Sequence, residues 1–151
     1  MGRQPGERGQ QRLEQIRGPL RVRGSSSDVV LRRISGPVEV ALVSGQIDAR
    51  DLSHRSARLR SILGSIRLGG ALPAGGALYL LSRDGDIELL LAADASCRVR
   101  GRVPRVVRGA RVRPRRLSHR RGRVELQIGR GRGARIEVGT RTGALRLVAE
   151  P

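Results

Sequence analysis

Aromatic residues are almost missing from this chain of 151 residues: Trp and Phe are absent, and Tyr79 is the single aromatic side chain. A core without aromatic rings has to be built from Leu, Val, Ile and Ala, which favours thin, repetitive layers over a broad globular interior. Lysine is absent too, so all 31 basic residues are arginine. A GC-rich genome imposes arginine in place of lysine on any protein, and composition is therefore one explanation of this choice.

Cysteine and long apolar runs are also scarce. Cys97 is the single cysteine, so the fold has to be stable without internal disulfides. No run of 18 apolar residues exists, which excludes a transmembrane helix. Residues 1–12 are polar and lack the apolar centre of a secretory signal, so a genuine start at Met1 predicts a cytoplasmic protein. We expect residues 1–15 to be a disordered tail and residues 16–151 to form one domain.

Acidic residues become rare in the second half of the chain. Residues 1–94 hold 14 Arg and 10 acids, a net charge of +4, whereas residues 95–151 hold 17 Arg and 3 acids, a net charge of +14. Between Arg98 and Arg121 there are eleven arginines and no carboxylate. Genome composition explains why arginine replaces lysine, but it does not explain the loss of acids. An unbalanced basic stretch of this kind attracts polyanions.

One short pattern recurs along the chain: Gly, any residue, an aliphatic residue, a mostly polar residue, then an aliphatic residue or Ala. Its copies begin at Gly18, Gly36, Gly45, Gly64, Gly85, Gly122 and Gly143. Several successive copies are 18 to 21 residues apart, and one gap of 37 residues is about twice that. The alternation within each copy is typical of a β-strand with one buried face. A second strand-like segment often precedes the glycine, so each unit is predicted to be two strands joined at a glycine bend.

A unit of this size cannot bury its apolar face alone and has to stack against its neighbours. We therefore predict an all-β protein, a β-solenoid or β-helix-like stack with rungs of about 20 residues. The alternative is an antiparallel β-sandwich. A narrow core of stacked Ile, Val and Leu would account for the missing aromatic rings, which sandwiches commonly include.

Two parts of the repeat resemble a known family. The segment Leu81–Leu89, LSRDGDIEL, followed by Ala93–Val99, ADASCRV, resembles the repeat unit of the bacterial adhesin-like family known as domain of unknown function 4097. The run from Gly122 to Leu147 is similar to the closing unit of those domains. The resemblance implies a β-strand-repeat domain of the cell envelope or of membrane-associated proteins, with a structural, surface-presenting role and no established catalysis.

Candidate catalytic and metal-binding groups are few. His54 and His119 share a Leu-Ser-His-Arg context, but an arginine follows each and no further ligand stands at metal-binding spacing, so we interpret both as residues of repeat loops. Cys97 has strand spacing and is expected to face the core. Asp84 and Asp86 flank a glycine bend and are expected to be solvated turn residues. We predict no catalytic site, metal, cofactor or small-molecule substrate, and hence no enzymatic activity.

The arginine cluster is the one candidate binding surface. Alternation with valine predicts an outward strand face, although Pro104 and Pro114 leave open an irregular loop across residues 105–113. Like charges stacked on neighbouring strands repel, and a bound polyanion would relieve that repulsion. The candidate site comprises Arg98, Arg100, Arg102, Arg111, Arg113, Arg130 and Arg132.

The ligand class follows from what the cluster lacks. Aromatic side chains for base stacking and a recognition helix are both missing, which argues against sequence-specific nucleic-acid binding. The expected partner is a polyanion held without specificity: nucleic acid, anionic lipid or acidic polysaccharide. A solvated basic face without a dedicated ligand is the alternative interpretation.

Overall fold

The computed structural model describes residues 9–130 and 133–150, and this part of the chain is all-β, as predicted. The strands are β1 (Gly9–Glu14), β2 (Leu20–Ile34), β3 (Val38–Ser44), β4 (Ile47–Leu52), β5 (Ser56–Leu63), β6 (Ile66–Gly69), β7 (Ala77–Ser82), β8 (Ile87–Leu91), β9 (Cys97–Arg102), β10 (Arg105–Arg108), β11 (Arg116–Arg120), β12 (Arg123–Ile128), β13 (Ala134–Thr140) and β14 (Ala144–Ala149). A helix long and apolar enough to cross a membrane does not occur among the described residues.

The strands wind into stacked rungs, each with one strand in each of two sheets. β2 is long enough to form a rung alone: its first half pairs with β3 in the first sheet, and its second half pairs with β4 in the second sheet. The rungs β3–β4, β5–β6 and β7–β8 follow, each parallel to the one before. This parallel stack is the predicted solenoid, and the antiparallel sandwich alternative is wrong.

The order of the rungs departs from the order of the chain after β8. β13 lies between β7 and β9, and β14 lies between β8 and β10, all in parallel register. The rung at residues 134–149 is the last in the chain, yet it is stacked between the rungs at residues 77–91 and 97–108. β12 then pairs antiparallel with β9, and β11 pairs antiparallel with β12, so a hairpin extends the first sheet.

The core is a set of aliphatic columns that run through the stack. Ile47, Ile66 and Ile87 occupy one register position on successive rungs of the second sheet and are almost completely buried. Adjacent parallel strands are about 4.8 Å apart, so identical side chains pack directly on one another. Tyr79 points outward, where the Arg58 guanidinium lies 5.3 Å from its ring centre. The expectation of a core without aromatic rings is therefore confirmed.

Four copies of the glycine pattern mark the bend between the two strands of a rung, as predicted. They are Gly45, Gly64, Gly85 and Gly143. A Cβ atom at any of them would overlap the backbone carbonyl of the preceding rung, so only glycine permits this spacing. The remaining copies differ: Gly18 and Gly36 precede the first strand of a rung, and Gly122 lies in the turn between β11 and β12. One sequence pattern therefore serves three structural positions.

Side-chain hydroxyl groups inside the stack hydrogen-bond to three of the four bend glycines. The side chains of Ser61, Ser82 and Thr140 occupy one register position and donate to the carbonyl oxygens of Gly45, Gly64 and Gly85, at 2.9, 2.7 and 2.7 Å. These buried hydroxyls satisfy carbonyl groups where the strands bend away from regular pairing. Every buried side-chain polar atom in the described part of the chain has a partner.

The N-terminal segment differs from the expected disordered tail. Residues 9–14 form β1, which pairs in parallel with Ser27–Arg32 of β2 and adds one strand to the second sheet. Leu13 and Ile16 are partly buried against the core. Leu13 and Ile16 are three residues apart, which is not strand spacing, so the sequence did not predict this strand. The otherwise unpaired edge of β2 supplies its partner. Residues 1–8 lie outside the described residues.

Candidate polyanion-binding surface

Rung order concentrates the positive charge at one end of the stack. The rungs at residues 97–108 and 134–149 and the β11–β12 hairpin all lie there. Within residues 95–150, the described chain holds 16 Arg and 3 acids, whereas residues 9–94 hold 12 Arg and 9 acids. A charge difference between two halves of the sequence thus becomes a charge difference between two ends of one structure.

Two rows of arginine cross the outward face of the first sheet at this end. The lower arginine row consists of Arg102, Arg123 and Arg120, which face one another on β9, β12 and β11. The upper arginine row consists of Arg135, Arg98 and Arg116, with Gln127 between the last two. None of the salt bridges between described residues involves either row. Directly opposed like charges on neighbouring strands are destabilising.

Arg100 lies between the two rows and has a different environment. Its register neighbours are Glu125 on β12 and Glu137 on β13. The Nε atom of Arg100 is 3.7 Å from Oε1 of Glu125, and both side chains are largely exposed. The stretch around Arg100 contains no acids in sequence, yet the sheet places a carboxylate on each side of it. Arg100 therefore contributes least of the β9 arginines to the unbalanced charge.

The predicted outward strand face is confirmed for Arg98, Arg100 and Arg102 but is wrong for Arg111 and Arg113. The latter two belong to the connection at residues 109–115, where they lie on either side of the buried Val112. The Val112 amide donates to the Gly109 carbonyl at 3.1 Å, so this segment turns instead of extending. The Val112 side chain packs against the core cluster, while Arg111 and Arg113 on either side of it remain exposed. The irregular-loop interpretation holds for these residues, and β10 occupies residues 105–108.

The glycine-rich turn before β13 is described only in part. Arg130 is exposed, and its carbonyl accepts a hydrogen bond from the Ser96 hydroxyl at 2.9 Å, which ties the turn to the segment before β9. Arg132 lies outside the described residues. The candidate surface is therefore defined by the strands, with Arg130 at its margin.

The hairpin supplies the arginines that the sequence pattern missed. Arg116, Arg120 and Arg123 were not among the predicted site residues, and neither was Arg135 on β13. A sequence signal for the first three exists, because Arg121-Gly122 separates two strand-like segments. In the structure these two residues have φ values of 51° and 77°, as in a two-residue hairpin turn ending in glycine. Reading that turn from the sequence would have placed Arg120 opposite Arg123.

The two histidines and the cysteine, which lie outside the arginine rows, are held by contacts within the fold. His54 lies in a turn and accepts a hydrogen bond from the Ser56 amide at 3.1 Å, whereas His119 lies in β11 with its Nε2 atom 2.8 Å from the Val103 carbonyl. The two histidines are thus not equivalent, despite their matching sequence contexts. Cys97 faces the core as predicted, and burial raises the pKa of its thiol to about 11. Groups of three or more His, Cys, Asp or Glu able to hold a metal are absent from the described residues.

Two carboxylates attach the rung at residues 134–149, here called the inserted rung, to earlier parts of the chain. Asp86 accepts from the Ala144 amide at 2.9 Å and from Arg146 at 3.1 Å, and the first of these contacts is the main reason that its pKa is lowered. Glu150 accepts from Arg50 at 2.7 Å and from the Gly70 amide at 2.9 Å, and the Arg50 contact chiefly lowers its pKa. Asp86 lies at a turn as predicted, but its role is to bind the next rung.

No family model, curated protein or solved structure matches this chain. The resemblance to the adhesin-like repeat family therefore stays a prediction, and the functional argument depends on the geometry of the surface.

Proposed function

We propose that this protein is a non-enzymatic binding module whose arginine-rich end holds polyanions without reading their sequence. The observation that supports this most directly is the lower arginine row: Arg102, Arg123 and Arg120 occupy opposed positions on three adjacent strands with no carboxylate among them. Opposed Cβ atoms in such a row are about 5 Å apart. A multivalent anion that bridges the guanidinium groups would convert their mutual repulsion into attraction.

The shape of the surface favours a long ligand over a small one. The two arginine rows are four residues apart along β9, about 13 Å at strand spacing, and they cross up to four strands. A linear polymer with repeated phosphate or sulfate groups can contact both rows at once. Tyr79 lies two strands from β9 and is covered by Arg58, so bases have no stacking platform among the arginines.

A salt titration tests this proposal. Binding of duplex DNA, used as the probe, should weaken with salt because counterions are released when arginines contact phosphates. Replacing Arg102, Arg120 and Arg123 together with Gln should lower the slope of log affinity against log salt by about 1 for each phosphate that the variant no longer neutralises. The matched control replaces Arg12, Arg21 and Arg67, which pair with Glu14, Glu39 and Glu88.

Both variants lose the same charge, so net charge alone would weaken binding equally. The proposal requires a clearly larger loss for the lower arginine row. Equal losses in the two variants, or a wild-type affinity that does not respond to salt, would contradict it.

A surface-presenting role at the cell envelope is the second proposal, and it depends on the family resemblance. The continuous ladder between rungs supports it, because side chains on both outer faces are held at fixed spacing on a rigid stack. Fractionation of the native cells tests this role directly. Recovery of the protein in the envelope fraction is expected, whereas recovery in the cytosol alone would contradict it.

A further inference from the structure

Four exposed aliphatic side chains gather at one edge of the first sheet. Val43, Ile62, Leu63 and Leu81 are 50, 43, 51 and 41 % exposed and lie where β3, β5 and β7 turn towards the second sheet. Leu42 pairs with Ser61 and Ser44 with Leu63, which places Val43 beside Ile62. We call these four residues the apolar ridge. Aliphatic side chains grouped in this way on a surface mark an interaction site more often than scattered ones do.

Arginines surround the ridge. Val43, Ile62 and Leu81 line a groove of about 620 Å³ together with Arg60, Arg83, Arg102 and Arg141. Arg83 and Arg141 share Asp84, at 3.9 and 3.5 Å, whereas Arg60 and Arg102 take part in none of the salt bridges between described residues. Ala41 and Gly139 also line the groove, and their small size leaves it room.

Apolar side chains with guanidinium groups beside them fit the boundary of a lipid bilayer. At that boundary the aliphatic groups leave water for the acyl region, while the arginines contact lipid phosphates at headgroup level. The ridge follows the stack axis with contributions from three successive rungs, so it is extended and suits a surface. A second copy of this chain is a poor occupant, because a two-fold contact would bring the same arginines face to face.

We propose that the apolar ridge binds to the surface of a bilayer containing anionic phospholipid, with Val43, Ile62 and Leu63 entering the headgroup boundary and Arg60 and Arg102 contacting lipid phosphates. The ridge shares Arg102 with the lower arginine row, but Val43, Ile62, Leu63 and Arg60 lie outside that row, so the proposal does not depend on polyanion binding by the hairpin.

Vesicle flotation with paired variants tests the ridge. Wild-type protein should bind phosphatidylcholine vesicles that contain phosphatidylglycerol and should bind pure phosphatidylcholine vesicles far less. Replacing Val43, Ile62 and Leu63 together with Ser should reduce binding to the anionic vesicles about tenfold or more, because binding scales with the apolar area inserted. The matched control replaces Val107, Leu117 and Val148, which are 44, 44 and 36 % exposed and lie elsewhere, and it should bind like the wild type.

A label at Ile62 provides a second measurement that does not depend on the triple variant. In Ile62→Cys, the native Cys97 is buried and poorly ionised, so an environment-sensitive fluorophore should attach at the new position. Its emission should shift to the blue when anionic vesicles are added, and the same label in Val148→Cys, on the outer face of the second sheet, should not respond.

Several results would overturn the ridge proposal. These are equal loss of vesicle binding in the two triple variants, no emission shift at Ile62, equal binding to neutral vesicles, or a dimer that the ridge substitutions dissociate. The last result would assign the ridge to a second copy of the chain.

The two proposals fail in different ways. The ridge variant should keep wild-type affinity for duplex DNA, and Arg120→Gln with Arg123→Gln should lower DNA affinity while the emission shift at Ile62 persists. Loss of both activities in either variant would contradict the assignment of two distinct surfaces that meet at Arg102.

Discussion

The second sheet and the antiparallel hairpin region of the first sheet arrange their outward charges in opposite ways. On the second sheet, Asp48, Arg67, Glu88 and Arg146 are register neighbours on successive rungs, so acidic and basic side chains alternate, and Arg67 lies 2.9 Å from Glu88. The lower arginine row places like charges in the equivalent relationship. The difference shows that the buried columns carry the fold, because strands pair in both places whether the outward charges attract or repel.

Truncating buried side chains tests whether the aliphatic core stabilises the interior and the edge of the stack to different degrees, and it should give the largest effect. Leu80 is fully buried between Leu59 and Val138 on the adjacent rungs, so Leu80→Ala should lower the free energy of unfolding by about 2–5 kcal/mol. Val106 lies on the edge strand β10 and is only partly buried, so Val106→Ala should cost less than about 1.5 kcal/mol. Urea unfolding followed by far-ultraviolet circular dichroism measures both. Equal costs would mean that the terminal rung is packed as tightly as the interior.

Substitution of a glycine at a bend should give the next largest effect. Gly85→Ala should lower the free energy of unfolding by about 1–3 kcal/mol, because the added methyl group meets the backbone of Gly64. Gly18→Ala is the control, since nothing lies within 4 Å of its Cβ position. The same unfolding measurement applies to both variants. A neutral Gly85→Ala would show that rungs can move apart at the bend without loss.

Exchanging charges on these two surfaces should give smaller effects of opposite sign. Glu88→Arg puts a positive charge between Arg67 and Arg146 and should destabilise the protein by about 0.5–1 kcal/mol. Arg123→Glu puts a carboxylate between Arg102 and Arg120 and should stabilise it by about 0.2–1 kcal/mol. Thermal unfolding of both variants at low salt provides the measurement. If Arg123→Glu is destabilising, the lower arginine row is not under repulsion.

The smallest expected effect is a loss of stability at low pH, caused by the two carboxylates that attach the inserted rung. Folding lowers the pKa of Asp86 and of Glu150, so their contribution to stability is complete above about pH 5 and is lost as the pH falls through the folded values. Asp86→Asn and Glu150→Gln together should flatten the fall in stability below about pH 5. Unfolding midpoints measured from neutral pH to about pH 2 would check this. If stability falls with pH as steeply in this variant as in the wild type, other carboxylates cause the loss of stability in acid.

The strands and their inward faces were predictable because they depend on neighbours in sequence. Alternation around Leu59, Val99 and Ile136 predicts which side of each strand is buried, and all three are in the core. The bend glycines were predictable for the same reason. The hydroxyl contacts of Ser61, Ser82 and Thr140 were not, because each donates to a carbonyl of a different rung.

The candidate surface was predictable only in part. Arg98 and Arg102 followed from alternation on β9, whereas the neighbours that decide their electrostatic role come from β12 and β13. Glu125 and Glu137 flank Arg100, and Arg123 stands opposite Arg102, from positions 21 or more residues away in the chain. Cross-strand pairing over such distances is a property of the register, which local alternation does not specify.

Composition and alternation alone established a repetitive all-β stack with an aliphatic core and an excess of arginine after Asp94, because these are local or additive properties. Tertiary pairing determined that residues 134–149 stack between two earlier rungs, with Asp86 and Ala144 in contact at a separation of 58 residues. That insertion brings Glu137 beside Arg100 and leaves the lower arginine row without acidic neighbours in its register. The reason is physical: hydrogen-bonded strands choose their partners by edge and register, and sequence order constrains that choice only weakly.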